Sequence, residues 1–174
     1  MTTGTLPARA AQISGASRIL TVSALADVRT RASRKGRTVG LCHGCFDILH
    51  QGHVSYLTQA AQQCDVLVVS LTAAAHVNKG PGRPVFGDSA RAEVLAALAV
   101  VDVVVVNDDA TATPVLRILR PDFYFKGAEY GRTDDPRVRA EVAELERHGG
   151  QFVLTDGAIF DSSTRAVRVL QGAS

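Results

Sequence analysis

The sequence contains no apolar run near the roughly 20 residues that cross a bilayer, and its N-terminus has no apolar signal core. Neither membrane insertion nor secretion is expected, and the reading is a cytoplasmic protein. An excess of charge is also missing. Lys and Arg number 19 against 17 Asp and Glu, a formal net charge of +2, which is too small for a polyanion-coating surface. Nucleic acid is therefore not an expected partner. Cysteine is scarce: three residues, an odd number, fit a reducing compartment better than a disulfide framework. What is present is apolar substance, 46% of 174 residues. That is enough for one sizeable core and too little chain for two ordinary domains.

Residues 1–18 are rich in Thr, Ala, Gly and Ser without apolar period, and are read as a mobile extension ahead of a single domain over 19–174. Ser23 is a candidate N-cap for a helix carrying Leu25, Val28 and Ala32 and ending in Arg34, Lys35 and Arg37. The cluster could attract phosphate; the favoured reading is solvated cations that complement a helix C-terminus. From there β-branched runs at 38–41, 66–71, 101–106, 123–125 and 152–154 alternate with helical periodicity. The helical positions are Val54, Leu57 and Ala61, then Val94, Leu95 and Leu98, then Val115, Leu116 and Leu119, then Val138, Val142 and Leu145. Pro114 and Pro136 stand at helix starts beside the candidate caps Thr113 and Asp135, and Gly149 follows the last periodic residue. Continuous apolar strands suit a sheet covered on both faces. The expectation is an α/β, doubly wound, Rossmann-like sheet of five parallel strands with helices on both faces. Ligands on such sheets bind beyond the carboxyl ends of the strands.

Directly after the first of these strands comes Gly44-Cys45-Phe46-Asp47-Ile48-Leu49-His50-Gln51-Gly52-His53, opening the helix of Val54 and Leu57. Imidazoles three residues apart at a helix start can face one way. Gly52 between them leaves room for a phosphate to approach the backbone, and the helix N-terminus adds amide donors and a positive dipole end. The arrangement suits a triphosphate. The alternatives are surface histidines or a metal pair, and the latter is weakened because a helical zinc motif spaces its histidines four apart around a glutamate.

The run G-C-F-D-I-L-H-Q-G-H resembles the signature of the cytidylyltransferase-like nucleotidyltransferase superfamily, whose H-x-G-H element binds triphosphate. Further matches follow in order. Lys79-Gly80-Pro81-Gly82-Arg83-Pro84 resembles the basic loop after the second strand, and Arg91 the arginine used on phosphates or substrate. Lys126-Gly127-Ala128-Glu129-Tyr130 follows the fourth strand, and Ser162-Ser163-Thr164-Arg165 resembles the terminal S-T-T-K-type element. The likeness runs from about Thr38 to Leu170.

This resemblance implies attack by an acceptor phosphate on the α-phosphorus of a nucleoside triphosphate, releasing pyrophosphate. Catalysis then rests on positioning and charge neutralisation. It assigns His50, His53, Lys79 and Arg91 to catalysis. Gly44, Cys45, Phe46, Gly52, Lys126, Gly127, Ser163, Thr164 and Arg165 would bind nucleotide, and Asp47, Lys79, Arg91 and Glu129 would meet the acceptor. Mg²⁺ is expected, held mainly by phosphates and water, since no carboxylate cage is present. The K-G-P-G-R-P and K-G-x-E-Y runs look most like heptose 1-phosphate adenylyltransferases, which favours ATP and a sugar 1-phosphate. CTP with glycerol 3-phosphate or a phosphonate is the alternative, and the arginine of S-S-T-R departs from the usual lysine. A homodimer is expected from relatives and from the frequency of symmetric dimers. Two other classes stay open: a non-catalytic nucleotide-binding module, and a redox protein using the C-x-x-C of Cys42 and Cys45. Cys64 reads as a helix-end core residue.

Overall fold

The computed structural model describes residues 18–132 and 134–156. Six strands form one parallel sheet in the order β1-β4-β3-β2-β5-β6. They are β1 (Ile19–Leu20), β2 (Val39–Gly44), β3 (Val66–Thr72), β4 (Val103–Asn107), β5 (Phe123–Gly127) and β6 (Gln151–Thr155). The helices are α1 (Leu25–Arg34), α2 (Gln51–Ala61), α3 (Asp88–Ala96), α4 (Thr113–Leu119) and α5 (Pro136–Glu146). The doubly wound α/β architecture is as expected, with one strand more. The two-residue β1 pairs Ile19 with Val104 on the sheet edge and is too short to show as a run in the sequence. Arg18 belongs to this fold and not to the extension, because its guanidinium donates to the carbonyls of Ala96, Leu98 and Val101 where α3 ends.

Period-two alternation sorts each strand between two cores. On one face Cys42, Leu67, Val69, Leu71 and Phe125 meet Leu57, Ala60 and Ala61 of α2 and Ala92 and Leu95 of α3. On the other, Val39, Leu41, Val68, Val105 and Tyr124 meet Leu25 and Ala32 of α1, Val115, Leu116 and Leu119 of α4, and Leu145 of α5. Gly40 lets these layers close, since a Cβ there would lie 2.6 Å from Cys64 Sγ and 2.7 Å from Phe125 Cε2. Cys64 is a buried helix-end residue as read.

Several local expectations are corrected. Ser23 does not cap α1: Val22–Ala24 form a 3-10 turn, the cap position is Ala24, and the Ser23 hydroxyl meets Thr21. Thr113 is the first residue of α4, and the cap position is Ala112. Val54 and Val94 point outward, at 44% and 52% exposure. The buried faces of their helices are carried by Leu57, Ala60 and Ala61, and by Arg91, Ala92 and Leu95. Leu98 lies beyond the end of α3. Asp135 does cap α5, accepting from the Arg137 amide with Pro136 in the first turn, and Gly149 adopts φ 77 after it.

At the amino ends of three strands one device recurs. Asp65, Asp102 and Asp122 each precede a strand and accept from an amide at or beside the start of a neighbouring strand, at Thr38, Leu67 and Val39 respectively. The acids cap orphan donors that the ladder leaves open. The carboxyl ends are different. The chain moves outward from β2 through β3 to β4 and then returns to β5 on the other side of β2, so the topological switch lies between β2 and β5. A ligand crevice belongs at that point.

Candidate active site

β2 delivers Gly44 to the switch point, and the chain then turns through Phe46, whose φ is 45°. The Phe46 ring folds back over Gly44, where a Cβ would meet its Cε2 at 3.2 Å. It sits in the core against α2, with its centroid 5.3 Å from that of His53. Phe46, expected to touch nucleotide, thus supports the His53 ring from within the protein. His50 occupies the N-cap of α2 with extended backbone, and its carbonyl accepts from the amides of His53 and Val54. The amides of Gln51 and Gly52 fall in the first turn, where a helix has no acceptor of its own. The two imidazoles lie 3.9 Å apart, inclined by 36°. Each is half-buried, with its Nδ1 inside the protein. Burial, the neighbouring His50 and the charge of Lys79 hold His53 down to a pKa of about 4, opposed by the Ile48 backbone. His53 is therefore a neutral ring near pH 7.

Lys79 is exposed on the loop after β3, and its positive charge is felt at both His53 and the Cys45 thiol. Gly80 and Gly82 flank the tip at φ 91 and 72, with open space where a Cβ would stand. Farther along, the loop is moored: Arg83 Nε donates to the Asp47 carboxylate, and the Val85 amide donates to its other oxygen at 2.6 Å. Asp47, expected to meet the acceptor, has a fully buried side chain with both oxygens engaged inside the protein.

Arg91 is likewise inside, its side chain 1% exposed. It donates to the carbonyls of Cys45 at 2.6 Å, Thr72 at 3.0 Å and Phe86 at 3.0 Å, and to Asp88 at 2.5 Å. The arginine expected on phosphates is here a clamp joining the histidine turn, the end of β3 and the start of α3.

Lys126 ends up 6% exposed at the carboxyl end of β5. Its Nζ is 3.6 Å from Glu141 and lies over the rings of Tyr124 and Tyr130, at 5.3 and 4.9 Å. Burial pulls its pKa down, and Glu141 works against that shift. The sequence reading missed Glu141, which also accepts from the Ala112 amide and the Tyr124 hydroxyl. Nothing in a helical pattern marks one glutamate among several as buried; only the neighbouring Val138 and Leu145 hint at that face. His43, which with Cys42 departs from the threonine or asparagine usual before Gly44 in the resembling family, is buried between Ser70 and Thr72. Burial and the Lys126 charge hold its pKa down to about 3. Gly127 closes β5, and Glu129 stands on the 3-10 turn Ala128–Arg132. Ser162, Ser163, Thr164 and Arg165 lie outside the described residues.

The cysteines are free thiols. Cys42 is wholly buried beside Tyr56, and burial pushes its thiol up, the opposite of an activated redox cysteine. Burial also raises half-buried Cys45. The expected Mg²⁺ finds no group of three His, Cys, Asp or Glu among the described residues, and the Asp47 carboxylate is spent on the loop. A protein cage for the ion does not fit these residues.

Residues 41–169 match the cytidylyltransferase-like family. The bifunctional protein HldE of Paramagnetospirillum magneticum is 43% identical over 160 residues, covering 91% of this chain and 32% of that protein. The HldE of Gluconobacter oxydans is 46% identical over 142 residues, covering 80% and 29%. The chain spans about a third of the length of these curated relatives. A lipopolysaccharide core biosynthesis protein from Thermoplasma volcanium superposes with a TM-score of 0.59 at 25% identity, over 70% of this chain and 98% of that one. A pantoate-beta-alanine ligase from Francisella tularensis, at 16% identity and TM-score 0.55 over 80% and 67%, shares the fold.

Proposed function

The chain belongs to the cytidylyltransferase-like nucleotidyltransferase family, and from that premise we propose that it transfers a nucleoside monophosphate from ATP to a sugar 1-phosphate, with heptose 1-phosphate the favoured acceptor. The products are a nucleotide-sugar and pyrophosphate. The observation that carries this reading is the His50 and His53 pair, rings 3.9 Å apart, at the amino end of α2 beside the switch point. The likeness to a lipopolysaccharide core biosynthesis protein supports a sugar acceptor, and the K-G-P-G-R-P and K-G-x-E-Y runs support ATP.

An oxygen of the acceptor phosphate attacks the α-phosphorus in line, and the bond from that phosphorus to the bridging oxygen of the β-phosphate breaks. The attacking group is already an anion, so no strong base is required. The chain supplies donors to charge that grows on the α-phosphate and on the departing pyrophosphate. With Nδ1 of each ring inside the protein, Nε2 is the nitrogen proposed to meet the phosphates. The first amides of α2 add to it, and Lys79 closes on the phosphates from the position before Gly80. Ser163, Thr164 and Arg165 are proposed for the leaving group. Magnesium is proposed as a companion of the phosphates, and no step is drawn through it.

A homodimer is the proposed assembly, supported by exposed Val54, Val85, Phe86 and Val94; sedimentation as a monomer at working concentration contradicts it. A cytoplasmic location is proposed on the same footing, and no helix among the described residues is long and apolar enough to cross a membrane.

The test is a substrate matrix followed by phosphorus NMR: ATP and CTP crossed with heptose 1-phosphate, glycerol 3-phosphate and a phosphonate. The expected product is a diphosphate ester from ATP and the heptose phosphate. Turnover only with CTP and one of the other acceptors overturns the substrate reading, and no pyrophosphate from any pair overturns the reaction.

A further inference from the structure

The basic run after β3 offers two cations to the site, Lys79 and Arg83, and the structure treats them differently. Arg83 is 7% exposed in its side chain, and its Nε lies on a carboxylate that is itself wholly buried. Both oxygens of Asp47 are used by one short stretch of loop, through Arg83 and the Val85 amide. A buried carboxylate must be paired and hydrogen-bonded to be tolerated, so this contact is a fixed mooring and not a passing surface pair. Asp47 sits two residues after Cys45 in the histidine turn. The mooring therefore joins the turn that holds His50 and His53 to the loop that holds Lys79. It also divides the loop. Residues 83–87 are held, by Asp47 and by the Arg91 bond to the Phe86 carbonyl. Residues 79–82 stand out, with both glycines in the left-handed region and open space where a Cβ would stand on either. Lys79 is four residues from the anchor, which sets how far it can travel.

We propose that Arg83 is a positioning residue: through Asp47 it moors the basic loop to the histidine turn, so that Lys79, and not Arg83, is the cation this loop presents to the phosphates. The inference rests on the nucleotidyl-transfer reading for its kinetic arm and on the fold alone for its structural one.

The test is a pair of double-mutant cycles on the full chain, read as kcat and KM for the triphosphate, with amide exchange followed in parallel without substrate. Arg83→Gln is expected to lower kcat about tenfold while triphosphate KM moves less than about threefold, and Arg83→Gln added to Lys79→Gln should cost little more than Lys79→Gln alone, because residues acting as a unit are not additive. Asp47→Asn should match Arg83→Gln, with the double variant no worse than the poorer single. Protection of the Val85 amide should fall in both single variants. Arg83→Lys, which keeps a cation for Asp47 with less disturbance, should recover part of kcat if Asp47→Asn proves too unstable to purify. Losses that multiply between Arg83→Gln and Lys79→Gln, or a large rise in triphosphate KM at unchanged kcat, overturn the proposal by making Arg83 a direct phosphate ligand. Unchanged Val85 exchange overturns it whatever the activity. A wild-type chain that releases no pyrophosphate overturns the functional reading as well, and the exchange arm then decides the mooring separately.

Discussion

The rings of His50 and His53 lie 3.9 Å apart at the amino end of α2 and are inclined by 36°, with the buried Phe46 ring supporting His53 at 5.3 Å. Two imidazoles so close form a paired surface that a polyphosphate can span, and a positive charge on one opposes protonation of the other. Burial and the Lys79 charge keep His53 in the neutral form.

His53→Ala is expected to lower kcat by about two to three powers of ten, the effect of losing one donor aimed at developing charge. Pyrophosphate release under saturating substrates measures it. The fold should survive, because the ring is only half-buried.

Binding of a triphosphate should take up a proton. The free His53 titrates at about 4, and a polyphosphate placed beside it favours the charged ring, which raises the pKa in the complex. Between the two values the bound state holds more protons, so affinity strengthens as pH falls through that window. Calorimetry at pH 5.5 in two buffers of different ionisation enthalpy measures the uptake; zero uptake or release contradicts the placement of the phosphates against His53.

Arg91→Gln should destabilise the fold by about 3 kcal/mol or more, since it removes a buried guanidinium that donates to the carbonyls of Cys45, Thr72 and Phe86 and leaves the buried Thr72 carbonyl without that donor. Lys79→Gln, on an exposed loop tip, should stay within about 0.5 kcal/mol. Urea denaturation of the two variants separates a clamp from a ligand. Equal, small effects contradict the clamp.

Acid stability should depend on His43. Its folded pKa of about 3 is far below the ordinary 6.5, so the unfolded chain takes the proton first. The stability it contributes is complete above about pH 6.5 and is lost as pH falls toward 3. His43→Gln is expected to flatten the pH dependence of the urea midpoint across that range, and an unchanged slope contradicts the buried neutral assignment.

Five of the six strands and their parallel arrangement were legible because β-branched runs and helical periods alternate along the chain, as at 66–71 and at Val115, Leu116 and Leu119. The histidine turn was legible for a similar reason: its parts are neighbours in sequence. What stayed hidden was partnership across distance. Arg91 meets Cys45 across 46 positions and Asp47 meets Arg83 across 36, and a cation bound to an internal partner reads the same as one awaiting a phosphate. Lys126 shows this most plainly, because its partner Glu141 lies on a helix whose acidic residues look solvated in the sequence. The repeat of Asp before Val66, Val103 and Phe123 was available to inspection, and it marks strand starts more sharply than the apolar runs do.

The most direct measurement is the ¹⁵N and ¹H spectrum of the two imidazoles during titration with magnesium-ATP. The account expects ring resonances of both His50 and His53 to shift together and saturate with a common affinity, and the shift at His53 to carry the signature of added protonation at pH 5.5. Saturable nucleotide binding that leaves both rings unmoved would contradict it.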